Sequence, residues 1–533
     1  MGSSTPTAGV PRGSWVILAG LTIVGLALRL PLLSDSLFGD ELSTNFVVNG
    51  FGVDSVIGLV GSDQEGTPPL FFLLTWLAKG VGEPVAGVRW ISLLAGLAAI
   101  PLTYVLGLLT VGRRAAVVGA AIMALSPFLI FYSTEARAYA LVMVLVLIAA
   151  VAVLMAVREG GVLWWVVYAG AAAGAAYSHY TCVFALLGLF AWSFFAHRDS
   201  RRALLIATAG AVVLYLPWLG EFAEDSGEPA SKIIEALHPL TLATAKTDLV
   251  HWSVAHPMEA AGVVPGNLAL WLIGFGAALG AVGVVLRLRG GELAWRPSSG
   301  LVLVLVLALA TPVGAALHNL VADSVFIPRN FAASSPGLAL AIAALVTGGG
   351  GRLRMVAVAL LLAGFAIGAV KILDEDHQRP DYAAAAEFIE AGGNPGAPVI
   401  EVAAPTPGPQ TALEAELAEP GEAAPRDRTV HVVGFAPMDE RLDARGSGAP
   451  GILDPLPAPT GAEVAIAAVR EAGSGRIFVV APGAADERSL RVPGSPTADF
   501  MAALPDRFRQ IEARTFPGYS IFPVTVHVFE SRP

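Results

Sequence analysis

Long apolar runs fill the chain from Trp15 to about Ile372, each closed by a short polar break. A bilayer core of roughly 30 Å needs about 20 mostly apolar residues to be crossed by a helix. Runs of that order fall at residues 14–31, 86–111, 115–131, 140–157, 162–178, 181–196, 203–220, 267–286, 299–319, 332–348 and 355–372, which predicts about eleven spanning helices. From Leu373 the pattern changes. The stretches "YAAAAEFIEAGG", "TALEAELAE", "GAEVAIAAVREAG" and "TADFMAAL" read as helices, and "APVIEVAA", "RTVHVVGF", "GRIFVVAPG" and "VTVHVFES" as strands. Helices alternating with short buried strands predict a small α/β layer with a mainly parallel sheet. The expected fold class is thus an all-α polytopic membrane domain over 1–372, with a long first outer loop at 32–85, and a separate α/β domain over 373–533.

Composition sharpens this picture. Only 14% of residues are charged and 55% are hydrophobic, whereas an ordinary soluble domain is about 25% charged. The formal charge of −10 gives no reason to expect a nucleic-acid partner; the partner that the apolar runs imply is the lipid bilayer. Cys182 is the single cysteine, so no intrachain disulfide can form.

Orientation follows from the positive charges, because short cytoplasmic loops collect Lys and Arg. With the N-terminus inside, the inner loops are "GRR" from Gly112, "REGG" from Arg158, "HRDSRR" from His197, "RLRGGELAWR" from Arg287 and "GGGGRLR" from Gly348, and every one is basic. The outer set is poorer in cations and richer in carboxylates. An odd number of spans then places the C-terminal domain outside the cytoplasm of a cell-membrane protein.

Chemistry-bearing residues gather on that outer side. In "LFGDELSTNFVV" the acidic pair Asp40 and Glu41 is flanked by Phe38, Leu42 and Phe46, and a carboxylate kept near apolar surface is a functional candidate. Asp35, by contrast, reads as a solvated loop carboxylate or a cap. "FYSTEARAYAL" sets Glu135, Arg137 and Tyr139 in a tight outer turn, where arginine's planar donors suit phosphate. "SHY" brings His179 and Tyr180 between two spans, and "IPRNF" puts Arg329 at the outer start of another. Arg29 and Lys371, also at outer helix ends, are lesser cationic candidates. His238, His251 and His256 share one outer loop without the close ligand spacing of a metal site. No cofactor is required by these residues; a divalent metal is compatible with them and unsupported by them.

Taken in order, "GDE" in a long first outer loop, "PPLFFLL" running into the next span, "STEARAYAL", "SHY" and "IPRNF" resemble the GT-C superfamily of polytopic glycosyltransferases. The likeness is to the bacterial branch of protein O-mannosyltransferase-like and aminoarabinose-transferase-like enzymes, and it runs from about Leu21 to Asp381. The resemblance implies a polyprenyl-phosphate sugar donor and inverting transfer to an acceptor hydroxyl of a lipid, glycan or protein on the extracytoplasmic side. It maps the catalytic base onto Asp40, with Glu41 as its companion, and places Arg137, Tyr139, His179, Tyr180 and Arg329 around the donor cavity. One departure stands out: many relatives carry His or Glu-Lys just before the two prolines, where this chain has Gly66 and Thr67. Asp63 or Glu65 is the expected stand-in for a second acid.

Three other readings compete, and one of them, a non-catalytic sensor or scaffold built around the external α/β domain, leaves the acidic pair and the outer arginines unexplained. A transporter or flippase of lipid-linked glycans would also have many spans, but would set its functional charges near the midplane and show repeat symmetry. A glycan ligase or polymerase using a diphosphate-linked donor is separated from the first reading only by the family likeness.

Overall fold

The computed structural model describes residues 12–49, 52–60, 66–81, 84–225, 239–322 and 324–392, then 396–402, 410–418, 430–433, 460–473, 475–483, 490, 496–520 and 522–532. Up to Lys371 the described chain is helical with short connections, and beyond it come short helices around a five-stranded sheet. Among the described residues eight helices are long and apolar enough to cross a membrane, from Trp15–Leu33 to Gly351–Lys371. A ninth candidate is the pair Arg113–Leu125 and Pro127–Ser133, bent by 61° at the break. The remaining two expected spans are the shorter apolar helices Val162–Ala176 and Cys182–Ala196. All eleven apolar runs are therefore helical, while length and composition alone support eight or nine of them as crossings.

The 61° bend originates at Pro127. This residue has no N–H to donate to the carbonyl of Met123, and proline inside a helix breaks the ladder at that point. Arg29 fills the gap: its Nη2 donates to Met123 O at 3.2 Å, and its Nη1 donates to Ala124 O at 3.1 Å and Gly25 O at 2.9 Å. Arg29 is fully buried and caps this broken helix, so the lesser role in phosphate binding expected for it does not hold. Lys371 likewise donates to Val263 O at 2.8 Å, which makes it a helix-end brace. Elsewhere small residues let backbones approach: a Cβ on Gly276 would lie 2.8 Å from Ala357 O, and one on Gly364 would lie 2.7 Å from Ala269 O. Close packing through small residues is how apolar helices associate where lipid removes the hydrophobic drive.

The first loop folds into short helices, Asp40–Asn49, Val53–Val60 and Leu70–Ala78. Gly39 precedes the first of these with φ +61°, a left-handed turn that favours glycine, and it delivers Asp40 and Glu41 to the helix's opening turn. Negative side chains are favoured there by the helix dipole.

In the C-terminal part the strands are β1 (Val399–Glu401), β2 (Val430–Val432), β3 (Arg476–Pro482), β4 (Phe508–Phe516) and β5 (Val524–Ser531), in the order β2-β1-β3-β5-β4. β1 pairs parallel with β2 and β3, whereas β5 pairs antiparallel with β3 and β4. The sheet is mixed, not mainly parallel, because the β4–β5 hairpin closes one side. Strand β4, "FRQIEARTF", carries no sequence signal of its own, since its largely solvent-facing residues lack a buried strand's apolar run.

Candidate functional site

Two groups singled out from sequence meet at the mouth of the first-loop helix. Arg329 Nη1 donates to Asp40 Oδ2 at 2.5 Å, and each side chain keeps 32% of its surface open to solvent. This pair is accessible to a substrate. Burial by itself would raise the Asp40 carboxyl, but Arg329 and then Arg137 outweigh it and hold it below its ordinary range. Asp40 is an ionised carboxylate at neutral pH.

Glu41 has a different job from the one its sequence position implied. It is fully buried and gripped from three sides. Arg89 donates two parallel bonds, Nε to Oε1 and Nη2 to Oε2, both at 2.8 Å. Arg379 Nε lies 2.8 Å from Oε2, and the Ala136 N–H donates to Oε1 at 2.8 Å. With its oxygens so occupied and no solvent access, Glu41 is removed from direct contact with a substrate, and it anchors the helix that carries Asp40. Asp35 is also corrected: its side chain is only 9% exposed and faces Arg379 at 3.7 Å. Burial pushes its carboxyl up to about 6 against the pull of Arg379 and Arg89.

The second outer turn is wholly buried, because the bend at Pro127 tips it inward. Glu135 sits there with its Oε2 lacking a hydrogen-bond partner among the described residues. Burial, with Glu41 and Asp40 adding to it, raises the Glu135 carboxyl to about 8 despite Arg379 and Arg329. Arg137 Nη2 donates to Thr67 Oγ1 at 3.0 Å, and its guanidinium lies 5.9 Å from the Phe72 ring centre. Thr67 therefore holds Arg137 in place.

Tyr139 packs edge-on against Tyr132 at 4.9 Å and lies 5.4 Å from the His179 ring. His179 Nδ1 accepts the Thr181 backbone N–H at 3.3 Å. Burial, then Arg137 and Arg329, push this imidazole down to about 3, so it is neutral, and with Nδ1 accepting, its proton belongs on Nε2. Tyr180 belongs to a neighbouring aromatic group, accepting from Trp218 Nε1 at 3.2 Å and packing on Phe222 at 5.0 Å. Asp63, Glu65 and His238 lie outside the described residues.

Arg89 and Arg379 were missed by sequence reasoning, which sought charges next to outer loops. Arg89 lies inside an apolar span and Arg379 at the edge of the soluble part. An arginine within a run otherwise apolar enough to cross a membrane was the signal available, since such a charge needs a buried partner.

Residues 66–220 match the family model described as dolichyl-phosphate-mannose-protein mannosyltransferase. A search of curated proteins finds no match. Among solved structures, the chain is similar to ArnT from Cupriavidus metallidurans bound to undecaprenyl phosphate, at 13% identity over 97% of this chain and 98% of that one, TM-score 0.47. It is also similar to the Archaeoglobus fulgidus oligosaccharyltransferase tethered to an acceptor peptide, at 14% identity, 89% and 69% coverage, TM-score 0.47. The S. cerevisiae protein O-mannosyltransferase Pmt1-Pmt2 complex bound to the sugar donor aligns over 41% of this chain and 33% of its own, at 15% identity and TM-score 0.31. The family match itself covers under a third of the chain.

The helical body and the outer-loop motifs accompany a match to that mannosyltransferase family model over residues 66–220.

Proposed function

We propose that the protein moves a sugar from a polyprenyl-phosphate donor to an acceptor hydroxyl on the extracytoplasmic face, with inversion, using Asp40 as general base. The single observation that carries the reading is the solvent-accessible Asp40–Arg329 pair, an ionised carboxylate beside a cation at the edge of a buried polar cluster. Displacement at an anomeric carbon needs a base beside the acceptor hydroxyl and positive charge beside the departing phosphate. Arg329 serves the phosphate, Arg137 adds a second cation, and the neutral His179 offers an Nε2–H donor. Tyr139 packs beside His179 in the same cluster. When donor phosphate draws Arg329 away from Asp40, the carboxylate loses its strongest neutralising partner and binds a proton more tightly. The base thus strengthens as the leaving group is held.

Glu135 contributes as a neutral acid: with its proton held up to about pH 8, it does not repel phosphate as an ionised carboxylate would. Glu41 is a brace and not a reacting group. The lipid tail of the donor lies among the apolar helices, and the acceptor approaches from the side of the C-terminal domain, 373–533, which this reading places outside the cytoplasm.

The test is a transfer assay in membranes holding the full chain, supplied with a panel of labelled polyprenyl-phosphate sugars, with the anomeric configuration of donor and product read by NMR. Transfer with opposite configurations is expected. Retention, or no transfer with any donor, would overturn the proposal.

A further inference from the structure

We infer that Arg379 is a positioning residue for Asp40, and that it makes the C-terminal part of the chain an integral piece of the site instead of a separable cover. The inference rests on the reading of Asp40 as the base.

Arg379 lies beyond the last long apolar helix, yet its side chain, 3% exposed, reaches back into the first loop. Nε holds Glu41 Oε2 at 2.8 Å, Nη1 faces Asp35 Oδ2 at 3.7 Å, Nη2 donates to Thr134 O at 3.1 Å, and the guanidinium lies 5.0 Å from the Phe131 ring centre. Its own backbone is tied down close by: the Asp381 N–H donates to Pro517 O at 3.0 Å and the Ala383 N–H to Ser36 Oγ at 2.9 Å. A second grip comes from the loop between β4 and β5, where Tyr519 and Phe522 pack on Phe38 at 6.0 and 6.1 Å. Phe38 and Glu41 flank Gly39 and Asp40 in the chain, so the C-terminal part holds the base from both sides, by charge on one and by aromatic packing on the other. The left-handed turn at Gly39, φ +61°, is the backbone link between these two holds.

The titratable groups facing Arg379 are the carboxyls of Glu41, Asp35 and Glu135, the neutral phenol of Tyr519 and the neutral imidazole of His256, with Arg89 as the other cation on Glu41. Without Arg379, Arg89 alone must offset Glu41 and Asp35, and one of the two takes up a proton near neutral pH. The opening turn then loosens and Asp40 drifts. A misplacement of about 1 Å costs on the order of a hundredfold in rate.

The experiment uses the full-length membrane protein. For Arg379→Gln, kcat is expected to fall by about tenfold to a hundredfold with the KM for lipid-linked donor within about twofold. The acid limb of its pH profile is expected to move up by about one unit as the buried carboxylates lose their cation. Arg379→Lys is expected to restore most of kcat. A folded Arg379→Gln protein with the wild-type kcat and pH profile, or one changed only in KM, would overturn the inference. Unfolding midpoints of Glu41→Gln, Arg379→Gln and the double variant give a readout independent of turnover. A double variant no worse than the worse single supports a coupled pair, and additive losses contradict it. If the wild type transfers no sugar, the proposed function fails, while this cycle still decides whether Arg379 and Glu41 act as a unit.

Discussion

Asp40 and Glu41 are neighbours in sequence and opposites in environment: one is an accessible anion beside an arginine, the other a sealed anchor held by two. Breaking a buried ion pair by neutralising one member typically costs about 3–5 kcal/mol, because a charge is left without its partner. Glu41→Gln is therefore expected to lower the thermal unfolding midpoint in detergent far more than Asp40→Asn does. Equal midpoints for the two variants would contradict the division of labour. Glu135 yields a pH prediction. Its carboxyl is raised from 4.5 to about 8 in the folded protein, so the proton it holds contributes stability that is fully present below pH 4.5 and is lost as pH rises through 8. The wild type should lose stability between pH 7 and 9 more steeply than Glu135→Gln, which has no proton to lose; identical slopes would contradict the assignment. At this scale the sequence showed the acids and arginines of the outer loops, because short motifs keep them next to apolar runs. It did not show Arg89 or Arg379, whose role exists only through partners far along the chain.

At the scale of elements, the decisive feature is the break at Ser126–Pro127. It turns the end of one span inward and carries Glu135 and Arg137 into the interior. Arg29 stabilises the break by meeting the carbonyls that proline leaves unpaired. Leaving a buried carbonyl unsatisfied costs about 1–3 kcal/mol, so Arg29→Leu is expected to destabilise the protein by that order, measured by thermal unfolding in detergent. A midpoint unchanged from wild type would show that the cap contributes nothing. The apolar runs were legible as helices because their length and composition announce them. The bend was not read, since a proline near a helix end is consistent with either a stop or a kink. The mixed sheet was hidden for a related reason: β4 shows solvent a mostly polar face and carries no buried-strand signal.

For the whole molecule, the proposed orientation, argued from the basic loops, has a cytoplasmic N-terminus and the C-terminal domain outside. A reporter fused to the C-terminus should be active only on the extracytoplasmic side; cytoplasmic activity would break the topology and with it the proposed location of the site. Distant parts of the chain converge on the acidic pair: the span carrying Arg89, the second turn at Ala136 and the segment at Arg379 all meet on Glu41, beside the accessible Asp40. The most direct test of the central claim is transfer by Asp40→Asn, which keeps shape and removes the base, assayed beside the wild type with the donor the wild type accepts. General-base removal is expected to lower kcat by about 10²–10⁴-fold with the fold intact. An Asp40→Asn enzyme with wild-type turnover would contradict the account.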